Sequence, residues 1–234
     1  MVLIPLRDNP PARHFPFVTI LLVAANFLVF FIELTTPNID RFILTYSLIP
    51  SKVNFGDFYT LIPFFTSLFL HAGWLHLIGN VWFLWIFGDN VEGVFGRINY
   101  LIFYLATGFL ASFVQYLMMP NSPLPVLGAS GAIAGTLGAY FFLFPKAKVE
   151  NLLPIGLPIV IDLPAYAVLF IWFIVQVIAS AVTVVQGTMA SGGVAYWAHI
   201  GGFFAGITFA WMGQWFGERR NLITPRVGRR KVLK

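Results

Sequence analysis

Gly128-Ala129-Ser130-Gly131-Ala132-Ile133-Ala134-Gly135 opens a hydrophobic run that ends near Phe144, and six of its eight residues are glycine or alanine. Residue type alone allows two readings. Small residues spaced by four let two membrane helices approach closely, and a lone serine in such a helix commonly bonds back to a carbonyl one turn earlier. In the other reading Ser130, the single hydroxyl in the stretch, is a nucleophile. The stretch by itself leaves both open.

The surrounding chain fixes the solvent. Its 234 residues are 59% hydrophobic and 10% charged, with a mean hydropathy of +0.83, against about 25% charged in a soluble domain. Such a chain cannot cover a water-facing surface with polar groups, so the solvent is lipid. Runs of about 20 apolar residues mark spans, and six are predicted: 17–34, 71–87, 98–118, 129–144, 164–185 and 194–216. The fourth is short. The fold class expected is an all-α membrane protein, a six-transmembrane-helix bundle over 17–216, with a cytoplasmic N-terminal tail (1–16) and a basic cytoplasmic C-terminal tail (217–234). No second domain fits.

Lys and Arg set the orientation. Twelve of the 14 fall on one side: Arg7, Arg13, Arg97, Lys146, Lys148, Arg219, Arg220, Arg226, Arg229, Arg230, Lys231 and Lys234. Only Arg41 and Lys52 fall on the other. Both termini are therefore expected in the cytoplasm, in a prokaryotic cell membrane, and the net charge of +5 reads as topology and contact with anionic lipid headgroups rather than nucleic-acid binding. The absence of cysteine excludes disulfides and thiolate chemistry. Residues 1–16, broken by Pro5, Pro10, Pro11 and Pro16, lack the h-region and cleavage site of a removable signal peptide, so span one is expected to act as an uncleaved signal anchor.

The other motifs lie at span ends. The long connection 35–70 is too aromatic for an ordinary solvated loop and is expected to lie in the outer interface. Span two carries His71, His76 and Asn80. His76 and Asn80 are four apart and share a helix face, while His71 falls in the turn before it. The alternative for Asn80 is an interhelical hydrogen bond. Gly88–Arg97 reads as a glycine-rich cytoplasmic turn in which Glu92 and Arg97 could pair. Span three holds Gln115 but no charge, and span five is almost uniformly apolar except for Gln176. The 186–193 loop, small and glycine-rich, suits a movable cover. Span six opens on Ala198-His199, with Gly202 and Gly206 as a small-xxx-small pair.

Depth brings these together. Spans two, four and six all start from the outer side, and at about 1.5 Å per residue Ser130, His199, His76 and Asn80 fall within roughly 10 Å of one another in depth. Buried polar groups in a membrane usually face the interior or a wet cavity. Ser130 needs a base to take its proton, and His199 is the best placed. His76, Asn80 and the Ser130 backbone N–H suit an oxyanion hole. All nine acids lie in loops, tails or span edges, so the arrangement is a Ser–His dyad with no carboxylate third member.

At these residues the sequence resembles the rhomboid intramembrane serine proteases. Supporting it are His71, His76 and Asn80 at family spacing, the G-x-S-G motif Gly128-Ala129-Ser130-Gly131, Ala198-His199 followed by Gly202 and Gly206, and Glu92 after span two. The resemblance implies a Ser130 nucleophile, a His199 base, an oxyanion hole from His76, Asn80 and the Ser130 amide, and a water-filled cavity open to the outside. Span five and the 186–193 loop would gate access. Substrates would be single-span membrane proteins cut near the outer face after a small residue, through an acyl-enzyme without metal, ATP or other cofactor. Two positions depart from the pattern. Many members carry Trp-Arg in the first loop where this chain reads Leu61-Ile62-Pro63-Phe64, and some have a Tyr stacked on the histidine where this chain has Ala134. A catalytically inactive rhomboid-like protein that binds membrane clients is the nearest alternative, and would usually have lost Ser130 or His199. A transporter would show repeats or midplane charges. A zinc protease would show H-E-x-x-H, and an aspartyl protease two facing acids; none of these is present.

Overall fold

The structure is a computed structural model that describes residues 3–10, 14–155, 157–186 and 195–218. The proposed cover at 186–193 lies almost wholly outside them, as do residues 219–234 of the basic tail.

Among the described residues, six long helices correspond to the six apolar runs: α1 (Phe17–Thr35), α4 (Trp74–Phe95), α5 (Arg97–Met118), α6 (Ser130–Leu143), α7 (Ala165–Gln186) and α8 (Tyr196–Glu218). Two shorter ones, α2 (Ile39–Tyr46) and α3 (Pro63–Thr66), lie in the first connection. By length and hydropathy, Phe17–Thr35 and Arg97–Met118 can each cross a membrane alone. The pair Phe58–Phe69 and Trp74–Phe95, bent by 78°, qualifies as one broken span.

Helix α6 is the centre. Its 14 residues make it about 21 Å long, short of the roughly 30 Å hydrocarbon core. Residues 131–140 are buried on every side, which is how a short apolar helix with no amphipathic face is accommodated. Its neighbours come close because both surfaces are made of small residues. A Cβ on Gly131 would stand 2.7 Å from Ala111 of α5, and one on Gly202 or Gly206 would overlap the carbonyl oxygen of Gly131 or Gly135. The small-residue reading of 128–135 therefore holds for the packing role. Around this axis Leu84, Phe87, Val91, Tyr100, Tyr104, Leu137 and Tyr140 form the fully buried core.

Three expectations are corrected. The stretch 88–97 is not a turn. Helix α4 runs to Phe95, and the reversal is a single residue, Gly96, at φ +76°, whose N–H bonds to the Glu92 carbonyl at 2.8 Å. Glu92 does not pair with Arg97. Its carboxylate accepts from Val18 N–H (2.9 Å), Thr19 N–H (2.8 Å) and the Thr19 hydroxyl (2.8 Å), supplying the acceptors that Pro16 cannot give the start of α1. The Arg97 guanidinium instead lies over the Phe17 ring at 5.6 Å.

Nor is the molecule purely helical. Strands β1 (Ile4–Asp8), β2 (Lys148–Ile155) and β3 (Leu157–Pro164) form an antiparallel sheet in the order β1-β2-β3, with an irregularity between Pro5 and Arg7. The N-terminal strand pairs with residues more than 140 positions away, a contact no local pattern encodes. Trp82 ties the sheet to α4 through its indole N–H to the Pro5 carbonyl (2.6 Å), and Arg7 pairs with Glu150.

The first connection is anchored without Trp-Arg. Leu48 and Val126 exchange backbone hydrogen bonds at 3.0 and 2.7 Å, and Ser51 N–H bonds to Ser122 O at 3.0 Å. Phe64 is buried against Phe109, Phe113 and Tyr116, while Phe65 stacks on Phe109 at 5.2 Å. On its outer side Phe58 and Tyr59 stay exposed.

Candidate active site

Ser130 is the first residue of α6 and is half-buried. The chain reaches it through Gly128 at φ +122°, a conformation that favours glycine, and Gly128 N–H bonds to the Ser67 carbonyl at 2.8 Å. A Cβ on Gly128 would stand 2.7 Å from Nε2 and Cε1 of His76 and 3.6 Å from Nδ2 of Asn80. Two polar side chains from one face of α4 thus lie against the backbone that delivers Ser130, as their four-residue spacing predicts.

The hydrogen bonds fix what His76 offers. Ala72 N–H donates to His76 Nδ1 at 3.3 Å, so in the neutral ring the proton sits on Nε2, the atom beside Gly128. Asn80 is buried, and among the described residues its Nδ2 donor has no hydrogen-bond partner. The ring N–H of His76, the Asn80 amide and the free N–H groups opening α6 would all donate to an oxygen developing negative charge there.

His71 stands behind this layer. Its ring meets that of His76 edge-on at 5.1 Å, and its Nδ1 donates to the Phe69 carbonyl at 3.2 Å. Its backbone N–H bonds to the carboxylate of Glu33, which is buried at the last turn of α1. Glu33 was not among the expected site residues. Its signal is that it is the single acid within the first apolar run.

From the other side, His199 lies in the first turn of α8 and is 6% exposed. Gly131, next to Ser130, faces Ala198, next to His199, with Cβ positions 3.7 Å apart. The two helix starts that carry the serine and the histidine are therefore adjacent. Gln115 of α5 holds the second of them, accepting the Ala198 N–H at 3.2 Å.

The His199 ring is held by α7. Its Nδ1 is 2.8 Å from the Gln176 carbonyl oxygen, and Trp172, one turn earlier, lies 5.8 Å away at 36°. Tyr196 approaches edge-on at 6.4 Å. The other ring nitrogen, Nε2, is buried with no partner among the described residues. Ala134, where a stacking tyrosine would stand, is fully buried and 3.3 Å from a Cβ on Gly202. Gln115 and Gln176 were visible in the sequence only as amides within apolar runs. Glu92 lies away from this region, at the start of α1. Among the described residues no three His, Asp or Glu side chains converge as metal ligands.

Comparison with known proteins bears on the family. A family model for the rhomboid domain matches residues 59–216, more than half of the chain. The chain is 32% identical to rhomboid protease GluP of Bacillus subtilis over 149 residues, 62% of this chain and 28% of that protein. It is 30% identical over 159 residues to the chloroplastic rhomboid-like protein 11 of Arabidopsis thaliana, covering 68% and 54%. To the mitochondrial rhomboid protein 1 of Saccharomyces cerevisiae it is 30% identical over 181 residues, covering 75% and 47%. The aligned region thus spans about half or less of the length of these relatives.

Proposed function

The chain belongs to the rhomboid family and is an integral membrane protein, and from that premise we propose that it is an intramembrane serine endopeptidase with a Ser130–His199 dyad. The observation carrying this reading is the meeting of the α6 and α8 starts at Gly131 and Ala198, beside a His199 Nε2 that has no partner among the described residues. The reading takes six spans with both termini cytoplasmic, a topology supported by the Lys and Arg distribution, in which that meeting point lies near the outer face within reach of water. The substrates would be single-span membrane proteins, with the surrounding lipids as the other partners. No metal, ATP or cofactor takes part.

The chemistry runs in two halves. His199 Nε2 takes the Ser130 proton as the Oγ attacks the scissile carbonyl. The oxyanion is met by His76 Nε2–H, the Asn80 amide and the Ser130 N–H. The imidazolium then gives its proton to the departing amine, leaving an acyl-enzyme on Ser130. Water, deprotonated by His199, attacks that ester, and the Ser130 oxygen regains its proton as the acid product leaves.

The test is cleavage of a single-span substrate by the purified full chain in liposomes. Ser130→Ala and His199→Ala should each abolish cutting, and a fluorophosphonate probe should label the wild type but not Ser130→Ala. Cutting by Ser130→Ala at the normal rate would sink the dyad. Client binding with no cutting by any form would favour the inactive, client-binding alternative.

A further inference from the structure

We propose that Gln176 is the positioning residue for His199, a role that rests on the dyad reading and takes the place of the acid such a dyad lacks. A neutral imidazole has two tautomers, and only the one protonated on Nδ1 leaves an Nε2 lone pair to accept a serine proton. Some feature of the site has to select it.

Among the described residues, the surroundings of Nδ1 offer one group for this. The Gln176 carbonyl oxygen lies 2.8 Å from it. An amide oxygen accepts but does not donate, so the contact is a hydrogen bond only with the proton on Nδ1. The rings around His199 are arranged differently: Trp172 is tilted at 5.8 Å and Tyr196 edge-on at 6.4 Å, and they confine the imidazole without selecting a tautomer. Gln176 is itself buried, so water competes little for its oxygen. The same bond stabilises the imidazolium formed during attack, because Nδ1–H remains a donor in both charge states.

The bond has a definite origin. Trp172 and Gln176 are four apart on α7 and share a face, and Phe173 stacks on Phe203 of α8 at 4.9 Å, docking that face on the helix that carries the base. A buried amide in a largely apolar run is thus placed at the ring of the one histidine in α8.

Two variants separate orientation from packing. Gln176→Met keeps length and volume but loses the acceptor, and Gln176→Glu keeps an acceptor oxygen whether or not it is ionised. In proteoliposomes, Gln176→Met should lower kcat on the order of ten- to a hundredfold, as expected for an unsatisfied buried donor and a mixed tautomer. KM should stay at the wild-type value, and Gln176→Glu should restore most of kcat. Nitrogen-15 NMR of the His199 ring should show Nδ1 protonated in the wild type and a tautomer mixture in Gln176→Met. A wild-type kcat in Gln176→Met, equal losses in Met and Glu, or an unprotonated Nδ1 in the wild type would each overturn the proposal. The ring spectrum decides it even if Ser130→Ala still cuts, which would overturn the dyad instead.

Discussion

The carbonyl oxygen of Gly131 occupies the space that a Cβ at residue 202 would need, so α6 and α8 touch backbone to backbone one turn beyond His199. Gly206 repeats the relationship with the oxygen of Gly135. Neither oxygen can give way as a flexible side chain would, and the separation of the two helices is set at these points.

Gly202→Ala and Gly206→Ala should therefore each destabilise the protein by about 1–3 kcal/mol, as forced overpacking does, and lower activity by widening the space between Ser130 and His199. Gly79 of α4 is the control, because nothing lies within 4 Å of a Cβ there. Gly79→Ala should be neutral or stabilising by up to about 1 kcal/mol, the helix propensity difference. Thermal unfolding in detergent measures all three. Equal midpoints for Gly202→Ala and Gly79→Ala would contradict the close approach.

The oxyanion assignment predicts a graded loss. His76→Ala and Asn80→Ala should each reduce kcat on the order of 10²–10³-fold, the usual effect of removing one donor. Gly128→Ala should do similar damage from a different cause, because its Cβ would displace the His76 ring and its φ of +122° strains any other residue. Turnover unchanged in both donor variants would take His76 and Asn80 out of that role.

At the other end of the molecule, Glu92→Ala should cost about 2 kcal/mol, since the carboxylate satisfies two backbone N–H groups that open α1. Cleavage per folded molecule should be unaffected. A thermal midpoint equal to that of the wild type would show that α1 does not depend on this cap.

Asp8, in the sheet outside the spanning helices, gives a pH signature. Burial pushes its carboxyl above the ordinary value of 3.8, although hydrogen bonds from Tyr140, from its own backbone and from Asn90 pull the other way. The folded state then holds the proton at a pH where the unfolded chain has lost it. Its contribution is fully present below the unfolded value and falls as pH rises through the raised folded one. Glu150 has the opposite sign, because Arg7 holds its carboxyl below the usual range, but that pair is exposed and screened. The midpoint of Asp8→Asn relative to wild type should therefore rise as the pH is raised above the ordinary carboxyl value of 3.8. A difference that does not change with pH would mean that Asp8 ionises as it does in the unfolded chain.

Much of this was legible along the chain. The six apolar runs returned as six helices whose starts differ from the predicted ones by no more than three residues, because a run of apolar residues in lipid has to close its hydrogen bonds internally. Ser130, His76 and Asn80 were visible as polar groups at matching depths. The sheet was hidden because the stretch between spans four and five, with Lys146, Lys148, Glu150 and Asp162, reads as a loop, and because β1 finds its partner across most of the chain. Gln176 was seen only as the odd residue of span five.

The sequence by itself determined the solvent, the positions of the helices and which side chains can do chemistry, since each follows from residue type and short-range spacing. Tertiary structure alone decided which of those side chains meet. The partners in Glu92 with Val18 and Thr19, Gln176 with His199, and Gln115 with Ala198 are separated by 74, 73, 23 and 83 positions. Contacts of that range depend on the order and tilt in which helices pack, and one chain's periodicity carries no record of either.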